Sequence, residues 1–294
     1  MAPAESARPS PSSTPRPTTQ LPRSQFPHSQ LPDSQRPLPS RRRFARAVKT
    51  LAATVLLLVV PMAGVAYADP PAALPANHAE ADGRWQPAFD YDTDGCYPTP
   101  AIGPDGALNE GLDNSGALNG NCRDASDLDN TNSYSRSTCD GDWCAYLYDL
   151  YFEKDQAVPG LDAFGHRHDI EHVVVWVRGG DSAEYVSVSA HGDYSTHPAS
   201  EMQWEGTHPK IVYHKDGAGT HCFRLASTGD EPPENHYGTW QYPDLVSWEH
   251  FPDGIRDTLT GADFGSASLA ISDGAFAGNL EKAKPEDIVF DPHV

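Results

Sequence analysis

Basic residues become scarce after position 68. Of the 21 Lys and Arg and 41 Asp and Glu in the 294-residue chain, residues 1–68 hold nine and two, leaving 12 basic and 39 acidic residues and a net charge near −27. A field of that sign repels nucleic-acid phosphates, which argues against DNA or RNA binding, and it attracts cations. The chain also lacks an apolar run long enough to span a bilayer as a helix. The best candidate, LAATVLLLVVPMAGV from Leu51, is about 15 residues, short of the roughly 20 required. There is no CxxC pair, so the common zinc patterns are absent. No internal repeat is present, and helical periodicity is sparse.

What precedes residue 69 is legible from composition. Residues 1–40 are rich in Pro, Ser, Gln and Thr with few apolar side chains, which predicts a disordered leader. Residues 41–68 read as a signal peptide: an arginine cluster at Arg41-Arg42-Arg43, the short apolar run, and Ala66-Tyr67-Ala68 as an A-x-A cleavage pattern. The arginines also fit a twin-arginine export signal, and a membrane anchor is the alternative reading. The expectation is a secreted, extracellular protein, in which disulfides are permitted. All five cysteines, Cys96, Cys122, Cys139, Cys144 and Cys222, lie beyond the signal peptide. Five is odd, so at least one is free or pairs with another chain.

Residues 69–84 read as a loose segment, and residues 85–294 as one domain. From Trp85 onward, short apolar runs alternate with Gly, Asp, Asn and Pro clusters, the pattern of many short strands. Strands are predicted at Ala145–Phe152, Ile170–Val177, Glu184–Ala190, Lys210–His214 and His221–Ala226. Helices are predicted near Trp248, in DLVSWEHF, and near Ile255. Thr228–Thr239 is predicted as an exposed loop. The expected fold is mostly β, a single-domain two-layer sandwich with peripheral helices.

The segment GHRHDIEHVVVWV, Gly165–Val177, carries the chemistry. On a strand, Asp169 and Glu171 share a face with Val173 and Val175, while His168, Ile170 and His172 point the other way. Two carboxylates at the end of a buried apolar row need a counter-charge, which a metal cation or Arg167 would supply. The spacing of His168 and His172 imitates a zinc-protease motif. On a strand, however, they stand roughly 13 Å apart and cannot share one ion. Oxygen donors with an imidazole nearby suit Ca²⁺ or Mg²⁺. Asp90-Tyr91-Asp92-Thr93-Asp94-Gly95 matches the start of an EF-hand loop, but Ala101 stands where the bidentate acid belongs.

GHRHDIE closely resembles the hallmark heptapeptide GHRHDWE of the necrosis- and ethylene-inducing peptide 1-like proteins, the NPP1 family. GCYP at Gly95, CRD at Cys122, NSYSR at Asn132, AYLYDLYFEKDQ at Ala145, WEHFPDGIRDTLTGADFGSA at Trp248 and NLEKA at Asn279 match in the same order. The resemblance spans about Phe89–Ala283. It implies a secreted cytolysin with an actinoporin-like and fungal-lectin-like sandwich, monomeric in solution. Such a protein binds glycosyl inositol phosphoryl ceramide headgroups and has no catalytic reaction as its activity. It further implies a divalent cation held by Asp155, His166, Asp169 and Glu171, with His221 contributing. Cys96 with Cys122 matches the family's disulfide pair, and Cys139 with Cys144 suggests a second. Ile170 departs from the family's tryptophan. Two rival functions remain: an extracellular metal-dependent hydrolase with His166 as general base, and a sugar-binding module without lytic activity.

Overall fold

The computed structural model describes residues 69–294. The expectations for the leader and signal peptide lie outside the described residues. Ten strands follow in chain order: β1 (Ala88–Tyr91), β2 (Asn132–Asp140), β3 (Trp143–Asp155), β4 (His166–Arg178), β5 (Ser182–Ala190), β6 (Asp193–Pro198), β7 (Trp204–Glu205), β8 (His208–Lys215), β9 (His221–Leu225) and β10 (Asp244–Ser247). Four short helices accompany them: α1 (Glu80–Trp85), α2 (Ala125–Leu128), α3 (Ile255–Thr260) and α4 (Phe276–Ala283). One sheet has the order β10-β2-β3-β4-β5-β6. The other runs β1-β8-β7, with β9 also paired to β8. The expected mostly-β, two-sheet fold with few helices is what forms. Among the described residues, no helix is long and apolar enough to cross a membrane.

The valine run of β4 is buried on both faces. Val173, Val175 and Val177 pack between the sheets with Ile211, Tyr213 and Phe223. Val174, Trp176 and Ile170 pack on the outer face, with Ile255 and Leu259 of α3 and Phe276 and Leu280 of α4. Each fully buried side chain of this size contributes about 1.5–3 kcal/mol. Two-sided burial is why β4 reads as a continuous apolar run rather than an alternating one. Ile170→Trp is therefore expected to overpack the outer core and cost roughly 1–3 kcal/mol, while calcium affinity stays unchanged. Thermal melts and calorimetry on the one variant check both halves.

Two expectations are corrected. Residues 69–84 are not loose. Leu74 is fully buried and its backbone N–H and C=O pair with the Asn132 side chain, at 2.8 and 2.9 Å. Asp82 is buried and accepts from Ser135, Ser137 and Ser247. DLVSWEHF is not helical: β10 pairs in parallel with β2, and only one 3₁₀ turn follows, at Trp248–His250. Pro243 and Pro252 bracket the segment, and sheet pairing outweighs its weak helical pattern. The Thr228–Thr239 stretch is the expected, mostly exposed loop, and it is pinned at its centre. The Asn235 amide and the backbone N–H groups of Glu234 and Asn235 donate to buried Asp90.

Disulfides join Cys96 to Cys122 and Cys139 to Cys144, and Cys222 is free and buried. The first closes a loop with a sequence separation of 26, for which chain entropy gives about 3 kcal/mol of stabilisation. The second clamps the β2–β3 hairpin between directly opposed residues.

Candidate functional site

Asp155 ends β3 and His166 begins β4, and the two are register partners across the sheet. Residues 156–165 connect them. Gly165 is required at the re-entry, because a Cβ there would lie 2.5 Å from the Asp155 carbonyl oxygen. Asp162 braces the connection by accepting from the backbone N–H groups of Ala157, Val158 and Phe164.

Ligand atoms of Asp155, His166 and Asp169 all lie within 4.8 Å of one another. Strict alternation would have put His166 on the opposite face from Asp169. His168 adopts φ +60°, a left-handed conformation, and this turn in β4 brings His166 round to the Asp169 side. Glu171 follows on the same face and lines the same cavity of about 380 Å³. Arg167 does not neutralise these acids. Its guanidinium pairs with Asp113 and donates to the Glu110 carbonyl, leading away on the surface. His168 turns away, and His172, though it lines the cavity, is tied to a different acid. His168 Nδ1 meets the Tyr151 hydroxyl, and His172 Nδ1 meets buried Asp149 at 2.8 Å.

Each carboxylate is held from behind. Asp155 accepts from the His221 backbone N–H and from its Nδ1–H at 2.6 Å. Asp169 accepts from the Tyr213 hydroxyl at 2.9 Å. Tyr213 is stacked between Phe152, with centroids 3.8 Å apart, and His221, at 5.0 Å. Glu171 accepts from the Ser189 hydroxyl. The first three residues are positioned by two strands of one sheet, and their support comes from β8 and β9 of the other. Tyr213 and Ser189 escaped the sequence reading, since nothing local marks them as partners of Asp169 and Glu171.

The electrostatics favour a cation. Asp155, Asp169 and Glu171 are buried, and Lys282 is the one basic chain-end among the lining residues that carries a fixed charge. Its ammonium donates to the Gly192 carbonyl. Burial, reinforced by the neighbouring Asp155 charge, pushes the Asp169 carboxyl up to about 6. Burial and the Asp169 charge push Glu171 well above the usual carboxylate range. His166 Nδ1 faces the His168 carbonyl at 2.7 Å, so it carries the proton and the Nε2 lone pair is free for a ligand role. His221 Nε2 is buried without a hydrogen-bond partner and stands 3.6 Å from Asp94. Buried like charges and lone pairs without a donor are costly, and a divalent cation relieves that cost. The donor set of carboxylates plus imidazole fits Ca²⁺ or Mg²⁺ chemistry.

The EF-hand-like stretch is not a second calcium loop, because its acids diverge. Asp90 anchors the 228–239 loop, Asp92 pairs with Arg224, and Asp94 faces His221. Asp94 thus borders the site from a motif read for another purpose.

Residues 79–283 match the family described as Necrosis inducing protein (NPP1). "NLP effector protein 3" of Phytophthora capsici is 36% identical over 199 residues, covering 66% of this chain and 78% of that protein. Among solved structures, NLPPya in complex with mannosamine superposes with a TM-score of 0.62 at 29% identity, over 74% of this chain and 97% of that one. The non-toxic HaNLP3 protein superposes with a TM-score of 0.63 at 27% identity, over 74% and 99%. With its two-sheet fold, its heptapeptide at the head of β4 and this match over most of its length, the chain belongs to the NPP1 family of necrosis-inducing proteins.

Proposed function

We propose that the protein is a secreted, cation-dependent cytolysin that binds glycosylated inositol phosphate sphingolipid headgroups and permeabilises the bilayer, without catalytic turnover. One observation carries the reading. The loop whose two ends are Asp155 and His166 exposes apolar side chains at its tip: Leu161 is 93% exposed and Phe164 80%. Large apolar groups so presented mark an interaction surface, and here they project from the connection between Asp155 and His166, both of which line the acidic cavity. Asp155, His166 and Asp169 would hold Ca²⁺ or Mg²⁺, with Glu171 and His221 supporting them. The cation supplies a Lewis-acidic point for sugar hydroxyls or phosphate oxygens. The related NLPPya protein is solved in complex with mannosamine, which supports sugar-headgroup binding. A headgroup seated there would bring Leu161 and Phe164 to the membrane interface, where apolar burial favours insertion.

Dye release from vesicles with and without inositol phosphate sphingolipid, in calcium or chelator, tests the proposal. Release is expected only with both lipid and cation. Leu161→Ser with Phe164→Ser is expected to abolish release while leaving calcium binding intact. Headgroup binding without release in the wild type would favour the non-lytic sugar-binding module, and turnover of a soluble ester would favour the hydrolase. The fold alone does not make a toxin, since non-toxic HaNLP3 shares it.

A further inference from the structure

Cys222 has no disulfide partner, yet it is not isolated. It is opposed to His214 across the β8–β9 ladder, and its Sγ is 3.6 Å from His214 Nε2. The β8–β9 hairpin closes through Asp216–Thr220, with the Asp216 N–H donating to the Thr220 carbonyl at 3.0 Å. From the other sheet, the β5–β6 turn places His191 over this hairpin. His191 Nε2 is 3.2 Å from Asp216 Oδ2. Ligand atoms of His191, Asp216 and Cys222 all lie within 4.8 Å of one another.

The geometry points to a second metal site of different chemistry: a Zn²⁺ held by Cys222, His191 and Asp216, with His214 beside the thiolate. Zinc takes sulfur at about 2.3 Å and nitrogen or oxygen at about 2.0–2.1 Å, tetrahedrally. Those lengths put a sulfur and a nitrogen ligand roughly 3.6 Å apart, and a nitrogen and an oxygen ligand roughly 3.3 Å apart. The His191–Asp216 pair, at 3.2 Å, matches the second edge, and Cys222 lies within 4.8 Å of both. Thiolate and imidazole select zinc over calcium, whereas the cavity around Asp169 offers mostly oxygen. Three protein ligands cluster here, and a water would complete the tetrahedron. The spacing hides it from motif reading, because the ligands come from two turns and a strand instead of a CxxC.

His191 supplies a further argument. It sits at φ +53° with Gly192 at φ +87°, a two-residue turn in which Asn or Asp is the commoner first residue. A histidine there directs a ligand across to the opposite sheet. The zinc would tie the β5–β6 turn to the β8–β9 hairpin. His191 and Gly192 also line the acidic cavity, so the tie would set the width of that cavity's mouth.

Cobalt titration of the purified protein tests the site, with zinc as competitor. The expected spectrum has a thiolate-to-cobalt charge-transfer band and the intense visible bands of a tetrahedral ion, both erased by zinc. Cys222→Ser is expected to remove the charge-transfer band. It should also weaken zinc binding by at least the roughly 10–100-fold that loss of an outer-shell partner costs. His191→Ala, on an exposed turn, should weaken zinc similarly while leaving the fold untouched. Asp169→Ala should keep the cobalt spectrum, which separates this site from the acidic cavity and from the cytolysin proposal. Weak six-coordinate bands alone in the wild type, with no thiolate charge-transfer band, would overturn the assignment. So would zinc affinity unchanged in both Cys222→Ser and His191→Ala, or zinc binding lost with Asp169→Ala.

Discussion

Calcium binding and vesicle leakage should both disappear in Asp169→Ala. Asp169 is the carboxylate common to every feature of the cavity: it is buried, it clusters with Asp155 and His166, and Tyr213 aims it. Losing a direct ligand should cost at least about 100-fold in affinity, beyond the upper range for an outer-shell partner. The fold should survive. The metal-free variant sheds a buried charge that repels Asp155, so its melting temperature should equal or exceed that of the metal-free wild type. Saturating calcium should raise the wild-type melting temperature and leave the variant's unmoved. Glu171→Ala should weaken binding less, because Glu171 lies beside the three-residue cluster and not within it. Calorimetry with Asp169→Ala binding calcium as tightly as wild type would place the site elsewhere.

The second large effect is a reversal of pH dependence by the cation. Asp169 and Glu171 both hold their protons to higher pH in the folded chain than ordinary carboxyls do, chiefly through burial. The folded state therefore binds protons that the unfolded chain has released, and stability falls as pH rises. For Asp169 the favourable increment is complete below its ordinary value of 3.8 and gone above about 6. In chelator, then, the protein should be more stable at about pH 5 than at about pH 7.5 in what these groups contribute. A cation must displace the same protons, so its affinity should fall roughly tenfold per pH unit for each proton displaced as pH drops below that range. With saturating calcium the order of the two stabilities should reverse. Melts of wild type and Asp169→Asn in chelator isolate the contribution. An Asp169→Asn slope equal to wild type would show that Asp169 is not the group responsible.

Much of this was legible in the chain itself, and its limits follow from physics. The carboxylate pair at the end of a valine row needed only the two-residue period of a strand, and Asp169 and Glu171 do share the inner face with Val173 and Val175. The acidic excess, the odd cysteine and the short strand pattern likewise depend on composition or near neighbours. Period alone failed at His168, because one left-handed residue resets the alternation and carries His166 across.

Long-range contacts decided the remainder. Tyr213, Ser189 and the His221 ring reach the acids from other strands, Asp94 reaches that ring from a loop, and no local signal ties them to β4. Leu74 is buried because Asn132, 58 residues away, imitates a strand edge for it. The segment 244–247 is a strand because β2 offers a ladder that its own propensity does not. Local pattern determines what a segment can bury, since side-chain periodicity is set by the backbone within a few residues. Which distant groups meet is set by how two sheets pack, and that packing alone turned a polar strand end into a framed cavity.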